Sequence, residues 1–90
     1  MFKQDKKGFF LIEVSKKEGV IFATHVENDY KITENFVSTT AEGLCRQILD
    51  RDLISEFSHA LYLGRELMKA EICLKENKDY EQDVSDNRKS

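Results

Sequence analysis

The sequence contains no proline and only two cysteines, and each shortage excludes something. With no residue that lacks a backbone N–H, nothing interrupts a helix or strand from within, which favours regular elements joined by short turns. Cys45 and Cys73 fall on two separate predicted helices, outside any CxxC or secretory pattern, so a disulfide framework is excluded and a reducing cytoplasm is the expected location. No apolar run approaches the ~20 residues that a membrane span requires. Gly8 to Val14 is too short for a cleaved leader and runs into SKKEG, so the chain is read as soluble and unprocessed. Basic charge is not in excess either. A formal net charge of −3 and a pI near 5.4 give no general attraction to phosphates or anionic lipid, so neither a nucleic-acid nor a membrane partner is expected. Internal repeats, glycine-rich phosphate loops and low-complexity segments are also missing.

What is present suits one small folded unit. Hydrophobic residues make up 40% and charged residues 34% of the 90-residue chain, inside the range of folded domains. A chain of this length buries roughly 60–65% of the surface it exposes when unfolded, enough for one thin core. The expected organisation is a flexible start over 1–7, one α+β domain over 8–83 and a mobile tail over 84–90.

GFFLIEV, Gly8 to Val14, has the branched and aromatic content of a strand. Phe10, Ile12 and Val14 point to one face and Phe9 and Leu11 to the other, so both faces call for cover. SKKEG is a charged turn whose glycine supplies the positive φ of a hairpin loop, and VIFATHV, Val20 to Val26, returns. After the turn residues Glu27 to Asp29, a third strand runs from Tyr30 to about Val37, its interspersed charges suiting a sheet edge. Thr39 followed by Glu42 matches a capping box and opens a helix running to about Arg51, with Leu44, Ile48 and Leu49 inward and Cys45 beside them. Ser55 caps a second helix reaching Asn77. The reading is a three-stranded antiparallel sheet packed on two helices in the order β-β-β-α-α, the second helix central.

That second helix carries the unusual residues. At about 100° per residue, Leu63, Leu74, Leu67, Ala60, Gly64, Phe57, Met68, Leu61 and Ile72 cover an arc of roughly 200°, predicted to be mostly buried. Opposite it, His59, Tyr62, Glu66, Lys69 and Cys73 form a polar stripe at helical spacing. This stripe reads either as the wet side of the helix or as a hydrogen-bonding row for a polar ligand, which His25 joins if the sheet packs that way. Glu71, in the middle of the apolar arc, reads either as a desolvated carboxylate that needs a partner or ligand, or as an exposed group paired with Lys75. Gly64 predicts close approach by a strand or a partner helix. The two histidines and two cysteines lack metal-ligand spacing, so no metal is expected. Ser58 and His59 are adjacent and point about 100° apart, so no base-assisted nucleophile is read and no catalytic residue is assigned.

The run HALYLGRELMKAE, His59 to Glu71, followed by Leu74 and by Tyr80, Gln82 and Asp83 in YEQD, resembles an uncharacterised domain family found in archaeal dihydropteroate synthase-like proteins. Related segments occur in proteins similar to one component of tetrahydromethanopterin S-methyltransferase. GFFLIEV and His25 are similar to the N-terminal half of that family, so the resemblance spans Gly8 to Asp83. It implies a setting in pterin-linked one-carbon metabolism, with a larger enzyme of that metabolism as a partner and His59, Tyr62, Gly64, Glu66, Lys69 and Glu71 as the matching positions. No barrel for a pterin and no corrinoid domain is read here, so neither enzyme's activity transfers and no cofactor is assigned.

The expected function is a small non-catalytic accessory or ligand-binding domain, with His59, Tyr62, Glu66, Lys69, Glu71 and His25 as the candidate ligand set. The alternatives are a small enzyme using Glu71, His59 or Glu66 as acid or base, and a structural dimerisation domain. Apolar residues on both faces of the first strand and the wide arc of the second helix lead to the expectation of a C2 homodimer.

Overall fold

The alternation in the first half of the sequence produces a hairpin and a third strand. In the computed structural model, which describes residues 8–27 and 29–83, β1 (Phe9–Ser15), β2 (Val20–Val26) and β3 (Ile32–Ser38) form one antiparallel sheet in the order β1-β2-β3. The flexible start expected at 1–7 and the mobile tail expected at 84–90 lie outside the described residues. In the β1–β2 turn, Gly19 has φ +71° and its N–H donates to Ser15 O at 2.8 Å, the role its sequence position requires. The register pairs Phe10 with His25, Ile12 with Ala23 and Val14 with Ile21, and Ala23 in turn with Phe36 of β3. Because the side-chain period is two, this register places Phe10, Ile12, Ile21, Ala23 and Phe36 on one face. All five are buried in the core.

Helices α1 (Ala41–Asp50) and α2 (Phe57–Lys75) complete the α+β architecture read from the sequence, with α2 lying across β1 and β2 and against α1. Ala41, Leu44 and Ile48 of α1 meet Leu63, Leu67 and Ala70 of α2 and the sheet in that core. Burying a large aliphatic side chain contributes about 1.5–3 kcal/mol. Leu49, expected inward, is exposed: the inner stripe of α1 is set by positions 41, 44 and 48, and 49 lies about 100° beyond the last of them. The cap is also one residue later than expected. Thr40, not Thr39, is the N-cap, its Oγ1 accepting from Gly43 N at 3.1 Å, while Glu42 accepts from Arg46. At α2 the residue before the first helical position is Glu56 rather than Ser55.

The end of α2 determines the rest. Asn77 adopts φ +58°, Lys78 N donates to Cys73 O at 2.8 Å and Asn77 N to Leu74 O at 3.3 Å. This is the Schellman stop, in which a left-handed residue satisfies the last carbonyls and reverses the chain. Residues 79–83 thereby return towards α2 and the outer edge of β1 as a strap.

Candidate functional site

His59, Tyr62 and Glu66 of the α2 stripe face inward, so this part of it is not the wet side of the helix, while Lys69 is exposed and Cys73 half-buried. His59 and Glu66 are 0% exposed and Tyr62 is buried, whereas Phe57, Leu61, Met68 and Ile72 of the predicted buried arc are exposed. Relative to the expected orientation the helix is turned by roughly a third of a revolution, keeping only Leu63 and Leu67 of the large residues at the core centre.

The strap is the reason. Glu66 Oε1 accepts from the Tyr80 hydroxyl at 2.6 Å and from Asp83 N at 3.2 Å, and its Oε2 from Lys69 Nζ at 3.3 Å. The Tyr62 hydroxyl donates to Asp83 O at 2.7 Å and accepts from Gln82 Nε2 at 2.8 Å. Gln82 also bonds the backbone of β1, its Nε2 donating to Phe10 O and its Oε1 accepting from Ile12 N, both at 2.9 Å. One side-chain amide thus pairs the outer edge of the sheet as a further strand would. Burial, then the Glu66 carboxylate, push the Tyr80 hydroxyl well above the usual tyrosine range, so Tyr80 remains a donor.

His25 lies on the helix-facing side of the sheet, and the Phe10 ring packs against both it and His59 of the stripe. Ring centroids are 5.0 Å apart for Phe10–His25, 5.9 Å for Phe10–His59 and 6.4 Å for His59–Tyr62. His25 Nδ1 is 2.6 Å from Thr33 Oγ1, and its Nε2 is buried without a hydrogen-bond partner among the described residues.

Glu71 is apart from this cluster. Its Oε1 accepts from Ala41 N, the first N–H of α1, at 2.7 Å, and its Oε2 pairs with Lys75 at 2.8 Å. The Lys75 ammonium and then the Ala41 N–H hold its carboxyl below the usual range, against a weaker opposing effect of burial. The pairing with Lys75 is therefore present, but the group is neither desolvated in the core nor in contact with His25 or Tyr30. It ties α2 to the positive end of α1.

Gly64 needs no close approach within the chain. A Cβ built there meets nothing within 4 Å, because Gly64 sits at the mouth of a cavity of about 150 Å³ between α1 and α2. The cavity is lined by Ile48, Leu49, Ile54, Ala60 and Leu63 and by Cys45, whose thiol is pushed up by burial and by Glu42. Among the described residues there is no group of three or more His, Cys, Asp or Glu that could hold a metal ion, and no helix is long and apolar enough to cross a membrane.

The residues that sequence reasoning underweighted are Gln82, Asp83 and the Ala41 N–H. A signal for the first two was available in Asn77 as a left-handed stop followed by the polar and aromatic YEQD.

The family model PterinBD-DUF4346 matches residues 4–83. The chain belongs to that family. Two relatives bracket how the PterinBD-DUF4346 segment is used. The Ycf91-like protein of Nostoc sp. (strain PCC 7120) is 29% identical over 105 aligned residues, covering 88% of this chain and 83% of that relative. The uncharacterized protein MJ0107 of Methanocaldococcus jannaschii is 32% identical over 77 residues, covering 86% of this chain but 15% of that relative. The same segment therefore makes up most of one protein and a small part of another. No solved structure is significantly similar to the chain.

Proposed function

We propose that this chain is a non-catalytic accessory domain of pterin-linked one-carbon metabolism, acting through association with a pterin-handling enzyme of the dihydropteroate synthase-like or methyltransferase type rather than by gripping a pterin itself. The observation that carries this reading is the burial of the stripe. Glu66 and Tyr62, the best-placed polar side chains, are spent on holding the strap. The family name supplies the pterin link, and the small share of MJ0107 that the chain covers supplies the precedent for attachment to a larger protein.

A pterin ring offers a row of alternating donors and acceptors and needs several convergent polar groups. The cavity between the helices has about 150 Å³ and a lining of carbon with one thiol. The hollow of about 200 Å³ at Thr40, Glu42, Gly43 and Arg46 is open, and its two charges already pair with each other at 2.6 Å. Neither fits the ring. The acid-base alternative loses support on the same grounds, since the oxygens of Glu71 and Glu66 are occupied within the chain.

Two measurements test the proposal. Reduced pterins at millimolar concentration are expected to leave the melting temperature of the chain unchanged, since only a binder of the folded state raises it. MJ0107 expressed without its matching segment is expected to bind that segment supplied separately, read by calorimetry. A saturable, pterin-dependent rise in melting temperature that Glu66→Gln abolishes would overturn the accessory reading.

A further inference from the structure

The outer face of α2 is an apolar surface whose spacing is its own mirror. Phe57 is 78%, Leu61 59%, Met68 62% and Ile72 52% exposed, all on one side of the helix, with Gly64 at the middle. Leu49 at the end of α1, 69% exposed, lies across the inter-helix cavity from Gly64. Reversing α2 about the peptide bond between Gly64 and Arg65 places Phe57 on Ile72, Leu61 on Met68 and Gly64 on Arg65. A surface that reads the same in both directions matches a second copy related by a two-fold axis, because an isologous interface requires residue i to meet j while j meets i.

We propose that a second copy of this chain covers the outer face of α2, the two helices packing antiparallel with the two-fold axis passing beside Gly64 and Arg65. The glycine then has a use that the single chain does not give it. With no Cβ and nothing within 4 Å, it leaves the space that lets the axes approach and that receives the stem of the opposite Arg65. The exposed area also matches the requirement. Five large apolar side chains more than half exposed amount to roughly 600 Å² per copy, the upper end of the largest apolar patches on single chains, which are often functional. Two copies bury on the order of 1,200 Å², the lower end of the range for specific interfaces. The arrangement leaves the Glu66–Tyr80 joint untouched, so it is independent of the pterin link.

Sedimentation equilibrium of the full chain at tens of micromolar is the first test, with twice the 10.5 kDa chain mass expected. Met68→Glu and Leu61→Lys change exposed side chains, so each variant is expected to keep its helical spectrum and melt cooperatively while its dimer dissociation constant rises by at least about ten-fold. Direction is read from mixed disulfides in a Cys45→Ser, Cys73→Ser background: a mixture of L61C and M68C chains is expected to cross-link 61 to 68, and L61C alone to cross-link poorly. A monomer mass throughout, a dimer indifferent to both charge substitutions, or cross-linking dominated by 61 to 61 would each overturn the proposal. So would an outer face that binds the remainder of MJ0107 in preference to a second copy.

Discussion

The two long sides of α2 reverse the usual distribution of polarity. The inner side carries His59, Tyr62 and Glu66 at full or near-full burial, and the outer side carries Phe57, Leu61, Met68 and Ile72 in solvent. Burying a carboxylate costs several kcal/mol unless its lone pairs are matched, so the inner side is stable only because residues 80–83 return to match them. The outer side has no such partner among the described residues. The polarity of a helical face therefore does not decide its direction; the availability of partners does.

Breaking the inner side should have the largest effect. Glu66→Ala leaves the Tyr80 hydroxyl and the Asp83 N–H without their buried acceptor, and a loss of about 3–5 kcal/mol is expected in urea unfolding, a large share of what a domain this small possesses. Outer-face changes such as Met68→Glu should stay within about 0.5 kcal/mol when measured on the monomer. Equal costs for the two would mean that the two sides do not differ as described.

Next in size is the strap itself. Gln82→Ala removes the acceptor of Ile12 N and the donor to Phe10 O, and a loss of about 1–2 kcal/mol is expected. The same change should speed hydrogen exchange at the Ile12 amide selectively, while amides of the central strand β2 remain protected. Unchanged exchange at Ile12 would show that the strap does not pair the edge in solution.

These contacts also explain what could be read from the sequence. Periodicity placed β2 at its observed limits, β1 within one residue and both helices nearly whole, because strand alternation, the SKKEG turn and helical spacing are local properties. The rotation of α2 was not local. A helical wheel ranks faces by hydrophobicity alone, and the apolar arc outweighed a stripe whose partners lie more than a dozen residues away, at Tyr80 and Asp83. For Glu71 the pairing with Lys75 was among the sequence readings, but its main-chain partner, Ala41 N, is a backbone group and leaves no trace in side-chain pattern. Tyr80 itself packs against the core.

A smaller effect is expected at Glu71, which belongs to neither side and joins the helices to each other. Glu71→Gln should cost about 1 kcal/mol at neutral pH through the weakened contact with the start of α1. Its folded carboxyl lies below the ordinary value of 4.5, so the stabilisation is fully present above that value and lost as pH falls through the folded pKa. Urea midpoints of parent and variant should therefore differ at pH 7 and converge in acid. A gap that persists at the lowest pH at which both fold would assign the effect to packing instead.

The smallest change, and one of opposite sign, is Gly64→Ala. Glycine inside a helix is disfavoured relative to alanine by about 0.8–1.0 kcal/mol, and the new methyl group would meet nothing within 4 Å. Within one chain the substitution should therefore stabilise, by up to that amount, since no strand of the chain makes the close approach that was one of the two sequence readings of Gly64. Between two chains it should do the reverse, because the methyl group occupies the space left for the opposite helix. Measuring unfolding at concentrations below and above dimer formation separates the two effects. The variant should melt higher than the parent when dilute, and the advantage should shrink or invert when concentrated. An advantage that is independent of concentration would leave Gly64 without a use on the outer face and remove the steric half of the case for a second copy.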